Sequence, residues 1–379
     1  MADTTVTVRQ NGTGDYTTLA SAEAAADISS GYYKIEIDDS NQYTEVVTVS
    51  VSGTPTSSNY IWFTVSEGNR HGGVGGSGAR VKKPGTNTVI FDVYTNYTRF
   101  EHLEIIDGYG FQVRGSDCLI SRCMIGGSGA FRGISDIQTG NLFVDNCAFY
   151  GASQAAIISL NGGSRLHIDH CTLQTGSTTV NANYAGIRHI ASSSGAETNL
   201  YNTIIVDTYY YSYSAYSDST NVGGTTNITD SGSNNTYDGP LVYGGNQGSF
   251  TGWINVSSIS DTSSGSSIIS VNETNYSNLD YTLTNLTVNP AAGAGTNRIG
   301  SEPDSRQDFS TDIAGNPRTT KAGYIDIGAY QVTVAPAGFK YWDGSAWADS
   351  TAVQYWNGTA WTDVTGIQYW NGSAWTDPS

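Results

Sequence analysis

Asp145 and Asp169 stand 24 residues apart in matching segments, LFVDNCAFY and LHIDHCTL. Each is followed by one polar residue and then a cysteine. Ser121 holds the same place in CLISRCMI, ahead of Arg122 and Cys123. Stacked segments would put the two carboxylates one above the other, beside a column of Arg122, Asn146 and His170. Neighbouring carboxylates repel and raise one pKa, or hold a cation between them. Two carboxylates roughly 5–9.5 Å apart form the acid–base pair of glycoside hydrolysis. Asp145, Asp169, His170 and Arg122 are therefore the candidate catalytic residues, with glycoside hydrolase or polysaccharide lyase chemistry as the expectation if the chain is an enzyme. The plainer reading carries more weight: polar side chains at a turn satisfy backbone groups and water.

Positioning these residues requires a coil. Cys123, Cys147 and Cys171 recur at intervals of 24, inside short β-type runs. A period in the twenties marks a solenoid in which each repeat is one coil. The cysteines then stack in a column and do not pair as disulfides. Aligned on them, Cys118, Leu142 and Leu166 fall in one column. Ile120, Val144 and Ile168 form another, and Ile125, Phe149 and Leu173 a third. All three should point inward, while Leu119, Phe143 and His167 should point out. Thr203 continues the cysteine column after a longer coil.

Composition agrees with a β-rich, turn-rich chain. Only 13% of the 379 residues are charged, with 45 Gly and 25 Tyr. The net charge of −17 disfavours nucleic acid, whose phosphates need a positive surface, and anionic membranes. No apolar run approaches the 18 residues of a membrane span. The start, MADTTVTV, lacks the basic and apolar regions of a secretory signal, so cytoplasmic synthesis with reduced cysteines is expected. A virion protein, made in a host cytoplasm and released by lysis, reconciles this with the polar surface; an extracellular or cell-surface location is the alternative.

The rest of the chain divides around the solenoid. Residues 1–30 predict a strand, Val6–Arg9, and a helix from Thr18 to Ala26 that would cap the first coil. Residues 31–333 form the solenoid, with KIEI, EVVTV and YIWFTV as early strands. Within it, 66–83 is a Gly-rich loop carrying Arg70, His71, Arg80, Lys82 and Lys83, which reads as solvated. The period is lost at 209–275, a Tyr/Ser/Asn-rich insertion. After a linker near Pro336, residues 338–379 hold three repeats of period 14, YWDGSAW, YWNGTAW and YWNGSAW. Asp-Gly and Asn-Gly between aromatic runs predict two-residue hairpins.

QNGTGDYTTLASAEAAA is similar to the opening of pectinesterase-like and other right-handed parallel β-helix proteins. Leu279–Gly295, Asp312–Arg318 and Asp326–Gln331 resemble the terminal coils of secreted, surface and phage β-helix proteins. These resemblances imply an all-β fold: a right-handed parallel β-helix with an N-terminal capping helix and a small C-terminal β-hairpin repeat module. That family spans adhesins, lyases and structural proteins, so it implies little about activity. The catalytic segments of pectinesterases have no counterpart here.

Binding residues are expected among the aromatics. Trp342, Trp347, Trp356, Trp361, Trp370 and Trp375 lie in the hairpin repeats, which resemble aromatic modules of phage fibre proteins. Tyr209, Tyr210, Tyr211 and Tyr213 offer rings with hydroxyl handles that suit sugars. Self-association is the competing role for both groups, and a homotrimer is expected. The five histidines lack metal-site spacing, so neither a metal nor a cofactor is expected. The expected function is a phage virion appendage on capsid or tail, binding host-surface polysaccharide or another virion protein. A tailspike-type depolymerase and a bacterial surface adhesin are the alternatives.

Overall fold

The computed structural model describes residues 3–85, 88–126, 132–136, 140–152, 157–159, 164–175, 185–189, 197–207, 211–215, 236–238, 241–243, 254–255, 295–296, 299–300, 302, 304–318, 324–325 and 329, with six short strands between 340 and 376. The chain divides into two units, Met1–Val332 and Thr333–Ser379.

The first unit is a right-handed parallel β-helix. Each coil visits three sheets in turn. Among the described residues the first sheet has nine strands, from Thr4–Val8 and Tyr33–Ile37 through Cys118–Ser121, Gly140–Asp145 and Ser164–Asp169 to Thr236–Asp238. The second also has nine, from Gln42–Thr44 to Ile254–Asn255, and the third has seven, from Val47–Val49 to Tyr211–Ala215. Alternation explains which side chains enter. Ile35, Phe63, Phe100, Ile120, Val144 and Ile168 share one register column and are fully buried. Phe63, Phe91, Phe100 and Phe111 fill the early coils with rings 4.8–5.5 Å apart. The three expected inward columns hold in register, Cys118↔Leu142↔Leu166, Ile120↔Val144↔Ile168 and Ile125↔Phe149↔Leu173.

Hydrogen bonding accounts for the cysteine column. Each thiol turns back to the carbonyl two residues earlier: Cys123 to Ser121 at 3.2 Å, Cys147 to Asp145 at 3.1 Å, Cys171 to Asp169 at 3.3 Å. Thr203 makes the same bond to Tyr201 at 2.7 Å. The amides of Cys123 and Cys171 donate along the column, to Cys147 Sγ and Thr203 Oγ1, both at 3.4 Å. Cys147→Thr should therefore preserve the ladder, whereas the equally sized Cys147→Val leaves the Asp145 carbonyl without its thiol donor. Urea unfolding should show the valine variant about 1 kcal/mol less stable than the threonine variant; equal stabilities would mean that the column is filled for volume alone.

The capping helix spans Leu19–Ala24, with Thr18 as N-cap accepting from the Ser21 amide. Glu45 closes its first turn, accepting from the Leu19 and Ala20 amides at 3.0 Å. Leu19, Ala22 and Ala26 join the core and cover the end of the first coil. The coils also continue where the period is lost: Tyr211–Ala215, Thr236–Asp238 and Leu241–Tyr243 extend the third, first and second sheets. In the C-terminal unit three antiparallel pairs form, placing Trp342 opposite Trp347, Trp356 opposite Trp361 and Trp370 opposite Trp375. Four residues separate the paired tryptophans in each repeat, so these pairs close longer turns than the two-residue Asp-Gly and Asn-Gly turns expected.

Candidate functional site

The candidate catalytic residues meet where each coil turns from the first sheet into the second. The turn uses one residue with left-handed backbone: His102, Arg122, Asn146, His170 and Asn202, with φ between 42° and 61°. Asn and His are enriched in this conformation; Arg takes it at a cost, which its side-chain contacts must offset. Register places Ser121, Asp145 and Asp169 in one column beside them, as the spacing predicts.

This column is covered, not open to solvent. Residues 304–318 cross the first sheet's outer face and seal the column. At one edge Arg306 donates to the carbonyls of Tyr97 (3.1 Å) and Asp117 (2.6 Å), and pairs with Asp304 at 2.7 Å. At the other, Gln307 donates to Asp145 Oδ2 at 2.9 Å. Arg122 Nη2 donates to the Asp308 carbonyl and carboxylate, both at 2.9 Å, and to Thr311 Oγ1 at 2.8 Å. Asn146 donates to the Asp308 carbonyl at 3.3 Å and accepts from Arg318 at 2.8 Å. Phe309 packs on the His170 ring, 5.1 Å away. Leu119 and Phe143, expected to point out, are buried. Only the column's next member, His167, is partly exposed, stacked on Phe143 at 4.8 Å.

Electrostatics follow from the burial. Asp145 has no exposed surface. Desolvation pushes its pKa up to about 6, against the Ser121 (2.5 Å) and Gln307 hydrogen bonds and nearby Arg122. Burial works against the charge of Arg122, but Glu101, Asp145 and Asp308 outweigh it and hold its pKa above the ordinary value. Glu101 meets Arg122 Nη1 at 2.9 Å. Asp169 contacts His170 Nδ1 at 2.8 Å, and Asn202 lies 3.3 Å from both residues. The four candidate residues thus lie buried together at this corner, while their partner Asp308 is 49% exposed. Among the described residues no group of three or more His, Cys, Asp or Glu is placed to hold a metal ion.

The Gly-rich loop, expected to be solvated, is also laid against the rod. His71 is buried; its Nδ1 accepts from the Gly73 amide at 3.0 Å, so its Nε2 donates to the Arg122 carbonyl at 3.0 Å. Burial lowers its pKa to about 4 and keeps it neutral. The Gly76 amide meets both Glu104 oxygens at 2.8 and 2.9 Å, and Tyr150 donates to Glu104 at 3.2 Å. Burial of Glu104 outweighs these bonds and pushes its pKa up to about 7. A side chain at Gly78 would sit 2.4 Å from the His71 amide, so the loop requires glycine there.

Of the expected aromatic residues, Tyr209 and Tyr210 lie outside the described residues. Tyr213 pairs with Ile187 in the strand register, in line with Phe91, Phe111, Ile134 and Ile157. Tyr211 pairs with Ala185 on the same strand. The tryptophans are placed only as strand partners. Sequence reasoning missed the crossing segment itself, although a signal existed: six of the 17 residues 302–318 are charged in a chain averaging 13%.

No family model and no curated protein matches the chain. Among solved structures, a pectin methylesterase from Aspergillus niger is similar at 15% identity and TM-score 0.37, covering 68% of this chain and 87% of that one. Carrot pectin methylesterase is similar at 17% identity and TM-score 0.39, covering 66% and 85%. A pectate lyase is similar at 12% identity and TM-score 0.44, covering 87% and 96%. The likeness is one of fold.

Proposed function

We propose that this chain is a polysaccharide-binding appendage, displayed on a phage particle as a capsid or tail protein, and that it holds glycan without cutting it. The observation that supports this reading is the sealed acidic column. Glycan cleavage by paired carboxylates needs a proton donor and a second carboxylate that reach the scissile bond. Asp145 has no surface to offer, and Asp169 is 3% exposed. Acid–base groups that serve structure leave a rigid rod whose open faces can carry recognition. The buried thiols of Cys123, Cys147 and Cys171, each donating to a backbone carbonyl, fit synthesis in a host cytoplasm. Virion proteins are the second expected partner, and trimerisation would group the hairpin repeats.

The test is incubation with a panel of bacterial capsular and O-antigen polysaccharides, followed by gel filtration. Co-elution of full-length polymer with the protein is expected. Shortened polymer would replace this reading with the tailspike-type depolymerase, which the fold also accommodates. Neither co-elution nor shortening across the panel would overturn glycan binding.

A further inference from the structure

A small pocket of about 240 Å³ opens where the chain leaves the third sheet for the first. Ser50, Val51 and Pro55 of one coil and Tyr94, Thr95 and Asn96 of the next line it. Tyr94 is 50% exposed, the most open large aromatic or aliphatic side chain among the described residues. The pocket is built on a fixed frame. The Tyr94 and Thr95 amides both donate to the Val49 carbonyl, at 2.9 and 3.2 Å, and Thr95 Oγ1 accepts from the Val51 amide at 3.0 Å. The Arg114 guanidinium lies 4.9 Å from the Tyr94 ring centroid and is anchored to Asp92 at 2.8 Å. Asn96 Oδ1 is used in accepting from the Ser116 amide at 2.8 Å, so the amide NH2 keeps both donors for a ligand.

We propose that this pocket is a subsite for one neutral pyranose ring of a polysaccharide. The assignment rests on the glycan-binding reading above and gives it a location. An aromatic ring offers a flat apolar face for a sugar's C–H bonds, and hydroxyl and amide groups around it take the sugar's hydroxyls. Tyr94 supplies the face, and Asn96 and Ser50 supply the polar rim. Asp92 matches the charge of Arg114, so the site favours a hydroxylated ligand over an anionic one. The volume lies below the roughly 300–1,000 Å³ of a drug-sized ligand site, which suits one ring of a longer chain.

Saturation-transfer difference NMR on the full chain tests this, with the methyl α-pyranosides of glucose, galactose and mannose, N-acetylglucosamine, and glucuronate as the anionic comparison. A neutral pyranose should receive saturation, and Tyr94→Ala should weaken its binding about ten-fold, as expected for loss of an aromatic contact. Tyr94→Phe should keep it, and an unchanged thermal midpoint should show both variants folded. Equal binding by wild type and Tyr94→Ala, a response to none of the sugars, or preference for glucuronate would overturn the assignment. The gel-filtration assay separates the two levels: polysaccharide co-eluting equally with wild type and Tyr94→Ala removes the subsite alone, whereas no co-elution with wild type removes the glycan reading.

Discussion

Replacing Arg122 by alanine is expected to lower the unfolding free energy by about 3–5 kcal/mol, the range for breaking a buried ion pair from one side. The Arg122 side chain is 6% exposed and so is that of Glu101, its partner at 2.9 Å. Removing the guanidinium leaves Glu101 beside the pair of Asp145 and Asp308 with less positive charge to meet them. Asp308, 49% exposed, adds little of the loss because water can replace its partner. Alanine also fits poorly at φ 50°, so Arg122→Asn is the cleaner probe: it suits the backbone and lacks only the charge and reach. Arg122→Lys should fall between, because an ammonium cannot match the planar fork that spans Glu101, Asp308 and Thr311. Denaturant unfolding gives the values; a loss below about 1 kcal/mol in Arg122→Asn would mean the network is not a structural lock.

The second large effect concerns pH. The folded-state pKa of Glu104, about 7, lies above its ordinary 4.5. Between these values the folded chain holds a proton that the unfolded chain has released. The stability associated with neutral Glu104 is therefore complete below about pH 4.5 and is lost as pH rises through 7. A shift of that size corresponds to about 3 kcal/mol. Glu104→Gln removes the titration while keeping a carbonyl oxygen for the Gly76 amide and the Tyr150 hydroxyl. The variant should gain about 3 kcal/mol relative to wild type between pH 4 and pH 8. Comparing the two is essential, since other groups titrate as well. Asp145, raised to about 6, acts in the same direction. His71, lowered to about 4, acts oppositely: stability is lost as pH falls from 6.5 toward 4. A pH-independent difference between wild type and Glu104→Gln would show that the Gly76 loop does not bury this carboxyl.

The sequence carried the coil and lost what covers it. The 24-residue spacing of Cys123, Cys147 and Cys171 located the stacking register, and with it the pairing of Asp145 with Asp169. It did so because in-register parallel strands repeat a position once per coil, so core columns are written directly in the spacing. The covering segments follow no such period. Arg122 meets Thr311 across 189 residues and Asn146 meets Asp308 across 162, distances at which no local pattern connects the partners. The same holds for His71, whose acceptor Arg122 lies 51 residues on, so a glycine-rich loop read as solvated is in fact packed. Leu119 and Phe143 carried a hint. Two large apolar side chains at outward positions ask for a cover, and both are buried. Arg122 at a left-handed position was a second hint, since Arg does not favour that backbone without side-chain contacts in return.

The account turns on whether residues 304–318 keep the acidic column shut in solution, and native-state hydrogen exchange measures this directly. The amides of Gln307, Asp312, Ile313 and Arg318 each donate to a backbone carbonyl within the crossing or to its return, as Ile313 does to Ala329 at 3.0 Å. They should exchange as slowly as the Arg122 and Asn146 amides of the corner beneath, which donate to Asp145 and Asp169. Matched protection would support the column as a structural lock and the rod as a binding surface. Exchange of 304–318 on the timescale of an open loop, above a corner that stays protected, would contradict it and return Asp145 and Asp169 to consideration as a catalytic pair.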